Sequence, residues 1–415
     1  MRSGIRRVVV GMSGGVDSAV SALLLKRKGF DVVGVFMQNW DANEEIGTCT
    51  IEQDYKDAER VCDRLGVPLT RIDFVKEYWN EVFSNLLKDY ESGYTPNPDI
   101  RCNKFIKFRS FFDYSTNKLG ADAVATGHYA NTSFGTYLQR YVSNKNVKLL
   151  QAKDAIKDQT FFLCQIPQDS LRLTMFPLGE YYKKDVVKIA RENGLYNVAN
   201  KRESTGICFI GKRRFQDFIS EYVDKKPGNF IDLDTGTVVG KHNGIHHWTL
   251  GQGCRIGGVR RPYFVFRKDS KSNDILVVQG TNHPALYTEL ALTSRVHWID
   301  PGMEDLVKRQ GILNCNFRFQ HTHPLVPCKI LQTLDNRLII RINKPLRAVT
   351  PGQFAALYLA DECLGGAQML NVGPSLYSLN QSNRKDIQEE QDDSEEYQNS
   401  LKPPIQEARH NSVLH

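Results

Sequence analysis

The stretch VVVGMSGGVDSAVSALLLKRKG, residues 8–29, decides how the first part of this chain folds. An apolar run at residues 8–10 leads into a Gly/Ser turn, and residues 18–28 then repeat apolar side chains at helical spacing. This order predicts a buried strand, a tight loop and a helix. Backbone N–H groups at such a turn, where a helix begins, point toward an anion such as phosphate.

The loop departs from the usual nucleoside-triphosphate motif. That motif, GxxxxGK[ST], places a lysine before its hydroxyl residue, whereas residues 11–18 read GMSGGVDS and contain no lysine. Ser13 and Ser18 supply hydroxyl groups, and Gly14 and Gly15 let the backbone approach a ligand closely. Taken alone, the loop could also be a plain glycine-rich turn between a strand and a helix.

The first third of the chain continues to alternate between two patterns. Apolar runs at residues 32–36, 67–74 and 121–126 alternate with helical patterns at 52–65, 77–90 and 105–119. The alternation predicts an α/β fold, with a parallel sheet that has helices on both faces. Ligands of such sheets bind beyond the carboxyl ends of the strands. We therefore expect a site in the loops that follow residues 10, 36 and 126.

After residue 227 the sequence changes to short β-branched segments separated by Gly, Asn and Asp turns. This texture predicts two small β modules, the second of them a barrel. The expected organisation is a catalytic α/β domain with a helical extension (1–220), a central β domain (221–285), a C-terminal β-barrel-like domain (286–373) and a disordered acidic tail (374–415).

Charge and composition restrict the class of protein. The formal net charge is +7, yet residues 375–415 hold eight acids and four bases, which leaves +11 on the rest of the chain. A body of that charge suits a polyanionic partner. No apolar run is long enough to span a bilayer, so we expect no membrane partner. Nine cysteines without a CxxC pair argue against a disulfide framework and against a structural metal.

Two cysteines lie in marked surroundings. Cys102 lies in TPNPDIRCNKFIKF (95–108) between Arg101 and Lys104, in a loop expected to open a helix, and Cys208 lies in STGICFIGKRR (204–214). Neighbouring cations and a helix start both favour the nucleophilic thiolate. Each cysteine could instead be a packed thiol.

Together these segments resemble the tRNA-specific 2-thiouridylases. SGGVDS is similar to the pyrophosphatase loop of the ATP-pyrophosphatase (PP-loop) superfamily. The combination with NWD (39–41), ATGHYA (125–130), KDQTFF (157–162), TLGQ (249–252), TPGQ (350–353) and DECLGG (361–366) extends the resemblance over residues 5–372. KEYWNEVFS and HPALY look like the mitochondrial branch, which implies a mitochondrial location. The chain departs from the family's pattern at Gly253-Cys254-Arg255, where relatives usually carry arginine directly after TLGQ.

The resemblance implies a role for each matching position. Cys102 would be the catalytic nucleophile, Cys208 the persulfide carrier and Asp99 a contact to the target base. The implied ATP site, with Mg²⁺ on the phosphates, comprises Gly11, Met12, Ser13, Gly14, Gly15, Val16, Asp17, Ser18, Met37 and Gly127. The implied tRNA contacts are Asn97, Pro98, Asp99, His128, Lys157, Asp158, Gln159, Arg318, Phe319 and Gln353.

The implied reaction is ATP-dependent 2-thiolation of the wobble uridine in the anticodon loop. The C2 oxygen is adenylated, and the outer sulfur of a Cys208 persulfide then displaces AMP. Cys102 attacks the persulfide or resolves the intermediate, which leaves a disulfide for an external thiol to reduce. An upstream persulfide donor, either a cysteine desulfurase or a relay protein, is the second partner. The alternatives are another PP-loop adenylating synthetase and a catalytically inactive tRNA-binding relative.

Overall fold

A computed structural model describes residues 4–40, 50–201 and 215–380. The described residues form three β-sheets, which follow one another along the chain apart from one short hairpin. Among them, no helix combines the length and the apolar character needed to cross a bilayer. The first sheet is the one that the opening sequence predicts.

The N-terminal sheet is parallel throughout. Its strand order is β3-β2-β1-β4-β7, and every neighbouring pair in it is parallel, which confirms the predicted α/β fold. The edge strand β7 has two residues, too few to show a pattern in the sequence. The strands of this part of the chain are β1 (Arg7–Met12), β2 (Asp31–Gln38), β3 (Leu69–Asp73), β4 (Ala123–Ala125), β5 (Asn131–Thr132), β6 (Leu149–Leu150) and β7 (Thr174–Met175).

Helices cover both faces of this sheet. Val8 and Val10 of β1 pack into one apolar cluster and Val9 into another, because successive strand residues point to opposite faces. Two π-helical segments, Trp79–Phe83 and Cys102–Ser110, join α3 to α4 and α5 to α6. The helices are α1 (Val16–Arg27), α2 (Thr50–Leu65), α3 (Val75–Tyr78), α4 (Ser84–Glu91), α5 (Pro98–Arg101), α6 (Phe111–Lys118), α7 (Thr160–Leu163), α8 (Gln168–Arg172), α9 (Lys183–Glu192), α10 (Tyr196–Ala199) and α11 (Phe215–Ile219).

The central sheet is open, with strand order β10-β11-β12-β8-β9, and Phe230, Val265 and Val277 lie in its core. A 3₁₀ turn, Ile245–His247, packs against its apolar side. The strands are β8 (Gly228–Asp232), β9 (Val238–His242), β10 (Gly253–Cys254), β11 (Tyr263–Lys268) and β12 (Ile275–Gln279).

The C-terminal sheet closes into a six-stranded barrel, which confirms the predicted second β module. The order β13-β17-β16-β15-β18-β19 is closed by pairing between β13 and β19. A 3₁₀ turn, Pro284–Leu286, precedes the barrel. Its elements are β13 (Tyr287–Arg295), β14 (His297–Trp298), α12 (Gly302–Gln310), β15 (Ile312–Arg318), β16 (Val326–Gln332), β17 (Arg337–Arg347), β18 (Phe354–Leu359) and β19 (Glu362–Val372).

Residues just beyond the barrel contact its first strand. Ser375 pairs with Thr288, and residues 376–380 form a turn of helix. The first residues after the barrel are therefore bridged to β13.

The barrel and the N-terminal domain share one hydrogen-bonded sheet. The hairpin of β5 and β6 leaves the N-terminal domain and pairs with β19, Leu149 opposite Cys363 and Leu150 opposite Glu362. Lys148 adds an ion pair to Glu362, with the two charged atoms 2.6 Å apart. The two domains are thus joined by backbone hydrogen bonds as well as by side chains.

Candidate functional site

The Gly/Ser loop between β1 and α1 requires glycine for two physical reasons. Gly14 has φ +70°, which side chains rarely adopt, and a Cβ there would lie 2.2 Å from the backbone oxygen of Asp54. Gly127, in the loop after β4, lies so close to the backbone at the start of α1 that a Cβ there would be 2.8 Å from the Ser18 nitrogen. Gly14 therefore brings the loop after β1 against α2, and Gly127 brings the loop after β4 against the start of α1.

The remaining positions of the expected ATP site gather at the same sheet edge. The methyl carbon of Met37 lies 3.1 Å from where a Gly11 Cβ would be, with the Phe111 ring behind it. Met12 and Val16 turn their side chains into the core, so what they offer a ligand is backbone. The structure thus brings residues of three separate strand ends together, as the sequence predicts for a parallel sheet.

Hydrogen bonds between its own serines hold the loop in shape. The Ser13 backbone N–H donates to Ser18 Oγ at 3.2 Å, and that hydroxyl donates to the Gly15 carbonyl at 3.1 Å. The two hydroxyl oxygens are 3.2 Å apart. The loop is consequently ordered without a lysine of its own.

A lysine from elsewhere takes a place beside the loop. Lys183 Nζ donates to both carboxylate oxygens of Asp17 at 2.8 Å, and the Tyr129 hydroxyl donates to Asp17 Oδ1 at 2.9 Å. Lys183 is only 16% exposed, so the ion pair is largely shielded from water. Sequence reasoning missed this residue, because it lies 166 positions from Asp17 in an ordinary KKD run.

A second lysine supports the loop from behind. Lys201 Nζ donates to the Gly14 carbonyl at 3.1 Å and binds carboxylates of Asp54 and Asp57 at 2.6 and 2.8 Å. It is the last described residue before 202–214, so Cys208 and its predicted role lie outside the described residues. Lys201 therefore ties the Gly/Ser loop to the entry of the segment that carries Cys208.

Cys102 lies inside a helical run and not in the expected loop. Asn97 Oδ1 accepts the Asp99 N–H at 3.2 Å, and Pro98 occupies the first helical position. A polar cap followed by proline is a strong helix start, so the helix begins four residues before Cys102. The Cys102 side chain is 5% exposed and packs in the apolar cluster that includes Ile106.

Asp99, Lys107 and His128 form a polar group near Cys102. Burial and the charge of Lys107 hold the pKa of His128 well below its usual value, so the ring is neutral at pH 7. Lys107 Nζ, which can only donate, lies 3.3 Å from His128 Nε2. The ring proton must then be on Nδ1, 2.8 Å from Thr126 Oγ1. Burial raises the pKa of Asp99, and the Lys107 cation offsets part of that rise.

Two of the expected tRNA contacts, Asp158 and Arg318, bind each other between the domains. Asp158 is fully buried, accepts the Ala152 N–H at 3.0 Å and pairs with Arg318 across 3.4 Å. Asp158 and Arg318 join the N-terminal domain to the barrel, so a direct contact of either with RNA would first require that interface to open. Phe319, a third expected contact, is buried in the core of the barrel.

Three further expected contacts, Lys157, Gln159 and Gln353, are more accessible. Lys157 and Gln159 are half-buried, and Gln159 Oε1 accepts the Tyr129 N–H at 2.9 Å. Gln353 donates to the Thr95 carbonyl at 2.7 Å, in the segment that leads to Cys102. The tRNA contacts of these residues stay predictions.

The remaining cysteines are packed. All seven cysteines among the described residues are buried. Cys254 lies where the sequence departs from the family's pattern after TLGQ. Burial raises the pKa of its thiol to about 12, as expected for a packed cysteine without a catalytic role. Arg255 beside it is exposed. In the described ranges no three Cys, His or acidic side chains form a metal-binding group.

Comparisons with known proteins agree along the whole described chain. Three family models match in order: a tRNA methyl transferase HUP domain at residues 6–212, a tRNA methyl transferase PRC-barrel domain at 216–279 and an aminomethyltransferase beta-barrel domain at 288–369. The mitochondrial tRNA-specific 2-thiouridylase 1 of Drosophila melanogaster is 51% identical over 89% of this chain and 95% of its own.

Two further relatives extend the comparison. The human protein of the same name is 49% identical over 92% of this chain and 94% of its own. A bacterial tRNA-specific 2-thiouridylase, from Alkaliphilus oremlandii, is 44% identical over 87% of this chain and 96% of its own. The likeness therefore spans nearly the full length of these relatives.

Proposed function

Because this chain belongs to the tRNA-specific 2-thiouridylases, we propose that it converts the wobble uridine of tRNA to 2-thiouridine in the mitochondrion. The reaction would consume ATP and a persulfide sulfur, and would release AMP and pyrophosphate. The observation that carries the proposal is the lysine-free Gly/Ser loop, joined through Gly127 to the strand end whose His128 contacts Lys107 of the Cys102 helix.

The first step addresses the poor reactivity of the uracil C2 carbonyl. Its oxygen would attack the α-phosphorus of ATP, so that the α–β bridge bond breaks and pyrophosphate leaves. The backbone N–H groups of the loop at Gly14 and Gly15 suit the departing anion. Asp17 is the carboxylate on the loop itself, and Mg²⁺ commonly binds one or two carboxylates together with substrate phosphates.

Lys183 is proposed to supply the positive charge that the loop's own sequence lacks. Substitution by methionine keeps the length of the side chain and removes its charge. We expect AMP formation to fall by roughly 100-fold in Lys183→Met, the usual scale for removing one electrostatic donor. Lys183→Arg should retain much of the activity, since it keeps the cation. Chromatography of the AMP formed at saturating ATP measures the rate of each variant. Equal rates in wild type and Lys183→Met would contradict this role.

Asp99 and its neighbours would orient the base. The N3–H of uracil is a hydrogen-bond donor, and a carboxylate is an acceptor. Asp99 lies one helical turn before Cys102, on the same side of the helix, as positions three apart do. Burial raises the pKa of Asp99, and the Lys107 cation opposes that rise, which favours the carboxylate that can accept the bond.

The second step needs two sulfur-bearing residues. We propose that the outer sulfur of a Cys208 persulfide forms a bond to C2 as the bond from C2 to the adenylated oxygen breaks, releasing AMP. Cys102 would attack the inner sulfur, leaving thiouridine and a Cys102–Cys208 disulfide. Two electrons from an external dithiol then restore both thiols. A sulfur donor protein must reload Cys208 in each cycle.

The nucleotide product separates the readings. Purified protein given tRNA, ATP and a persulfide donor should release one AMP for each 2-thiouridine that mass spectrometry detects. ADP as the product would contradict the proposal. AMP formed with an amine donor, but without thiolation, would favour an amide-forming synthetase of the same superfamily. The absence of both AMP and 2-thiouridine would favour an inactive tRNA-binding relative. Mitochondrial tRNA from cells that lack the protein should lose 2-thiouridine.

A further inference from the structure

The barrel forms hydrogen bonds with the stretch of chain that leads to Cys102. We call residues 94–102 the Cys102 segment. Gln353 Nε2 donates to the Thr95 carbonyl at 2.7 Å, and the Thr95 N–H donates to the Pro351 carbonyl at 3.0 Å. Gly352 has φ +96°, and a Cβ there would lie 2.7 Å from the Thr95 nitrogen. The barrel loop thus meets the segment backbone to backbone.

The Cys102 segment can form few backbone hydrogen bonds of its own. Pro96 and Pro98 carry no backbone N–H, so neither residue can donate a main-chain hydrogen bond. Lys268 of the central sheet reaches the same place, with Nζ 3.5 Å from Thr95 Oγ1 and 2.9 Å from the Trp248 carbonyl. External contacts therefore set the position of the chain just before the helix that bears Cys102.

A second barrel contact reaches the residue next to the nucleophile. Gln368 Nε2, on β19, donates to Asp89 Oδ2 at 3.0 Å and to the Gly352 carbonyl at 3.2 Å. The same Asp89 oxygen pairs with Arg101 Nη2 across 3.6 Å. Burial raises the pKa of Asp89, while the bonds from Gln368 and Arg101 favour its charged form. Asp89 is thus a shared acceptor between the barrel and Arg101.

From these contacts we propose that the barrel is a working part of the catalytic centre, and that Gln368 is a positioning residue that holds Arg101, and with it Cys102, through Asp89. The proposal rests on the proposed function, because it assigns Cys102 the role of nucleophile. It gives the C-terminal barrel a task in the reaction besides any contact with RNA.

The test compares two glutamine-to-leucine variants. Gln368→Leu keeps the size of the side chain and removes both donors, and Gln310→Leu, at the exposed end of α12, is the matched control. We expect Gln368→Leu to lower kcat for thiolation about 10-fold, the scale for a small misplacement of a reacting group. The KM for tRNA should stay within about twofold, as should every parameter of the control. A raised KM with unchanged kcat would overturn the proposal in favour of an RNA contact.

A second measurement does not depend on thiolation. The rate at which iodoacetamide alkylates Cys102, read by mass spectrometry of its peptide, should change in Gln368→Leu and not in Gln310→Leu. It also tests the proposal if the wild type fails to thiolate tRNA, an outcome that would reject the proposed function alone. Equal alkylation in all three proteins would overturn the positioning role.

A double-mutant cycle guards against a folding defect. If Gln368 acts through Asp89, then Asp89→Asn should lower kcat similarly, and adding Gln368→Leu to it should change little more. Thermal unfolding of each variant reports whether the fold persists. Fully additive effects on kcat in folded proteins would contradict the relay.

Discussion

Cys102→Ser is expected to lower thiolation by about a thousandfold or more, the scale on which removal of a nucleophile acts in other enzymes. A serine hydroxyl is neutral at pH 7 and does not form the disulfide that ends the proposed cycle. Pyrophosphate release should persist for a first turnover, because the adenylation step uses the Gly/Ser loop and not this thiol. Mass spectrometry of the tRNA, with pyrophosphate measured in parallel, separates the two steps.

The control for this substitution is another buried cysteine of the same chain. Cys254→Ser changes one sulfur to oxygen in the central sheet, 5% exposed like Cys102, and should leave thiolation within about twofold of wild type. Cys208→Ser should behave as Cys102→Ser does. Full thiolation by Cys102→Ser would contradict the nucleophile assignment, whatever the control shows.

Gly14→Ala should nearly abolish nucleotide chemistry. The new methyl group would lie 2.2 Å from the Asp54 carbonyl oxygen, which belongs to the backbone of α2 and cannot rotate away. The loop must then shift, and a shift of about 1 Å at a reacting group costs on the order of 100-fold in rate. We expect a fall of that size in AMP formation and a raised ATP dissociation constant, measured by calorimetry.

Gly120→Ala separates the clash from backbone strain. Gly120 has φ +64°, close to the +70° of Gly14, but no atom lies within 4 Å of its would-be Cβ. Both variants carry the strain of a left-handed alanine, about 1–2 kcal/mol. Gly120→Ala should therefore unfold at a lower temperature while its AMP formation stays close to wild type. Equal losses of activity in the two variants would show that strain, and not the clash, explains the effect.

Much of the fold is local enough to be predicted from sequence. The apolar runs that become β1 and β2 are bounded by glycine and charged residues. The apolar pattern and the flanking turn residues therefore both indicate a strand at these positions. Once those strands are parallel, the loops after residues 10, 36 and 126 must share one edge. This is why the sequence alone suffices to group Gly11, Met37 and Gly127.

The missed features depend on contacts between distant residues. Lys183 and Lys201 carry no local sign that one binds Asp17 and the other the Gly14 carbonyl. The ion pair between Asp158 and Arg318 was also missed, because the sequence does not show that two polar residues 160 positions apart bind each other. Their contact with tRNA stays a prediction. The helix start at Pro98 was missed because the two prolines suggested a longer loop.

The pairing of β6 with β19 has a consequence for shortened versions of this protein. A chain ended by a stop codon before Glu362 would leave the backbone groups of Leu149 and Leu150 facing water or another molecule's strand. Asp158, which is fully buried, would lose its partner Arg318 when the barrel cannot fold. Chains truncated before Glu362 should therefore be insoluble and inactive. A shortened protein that lacks the acidic tail should end after residue 380, so that it keeps the whole barrel.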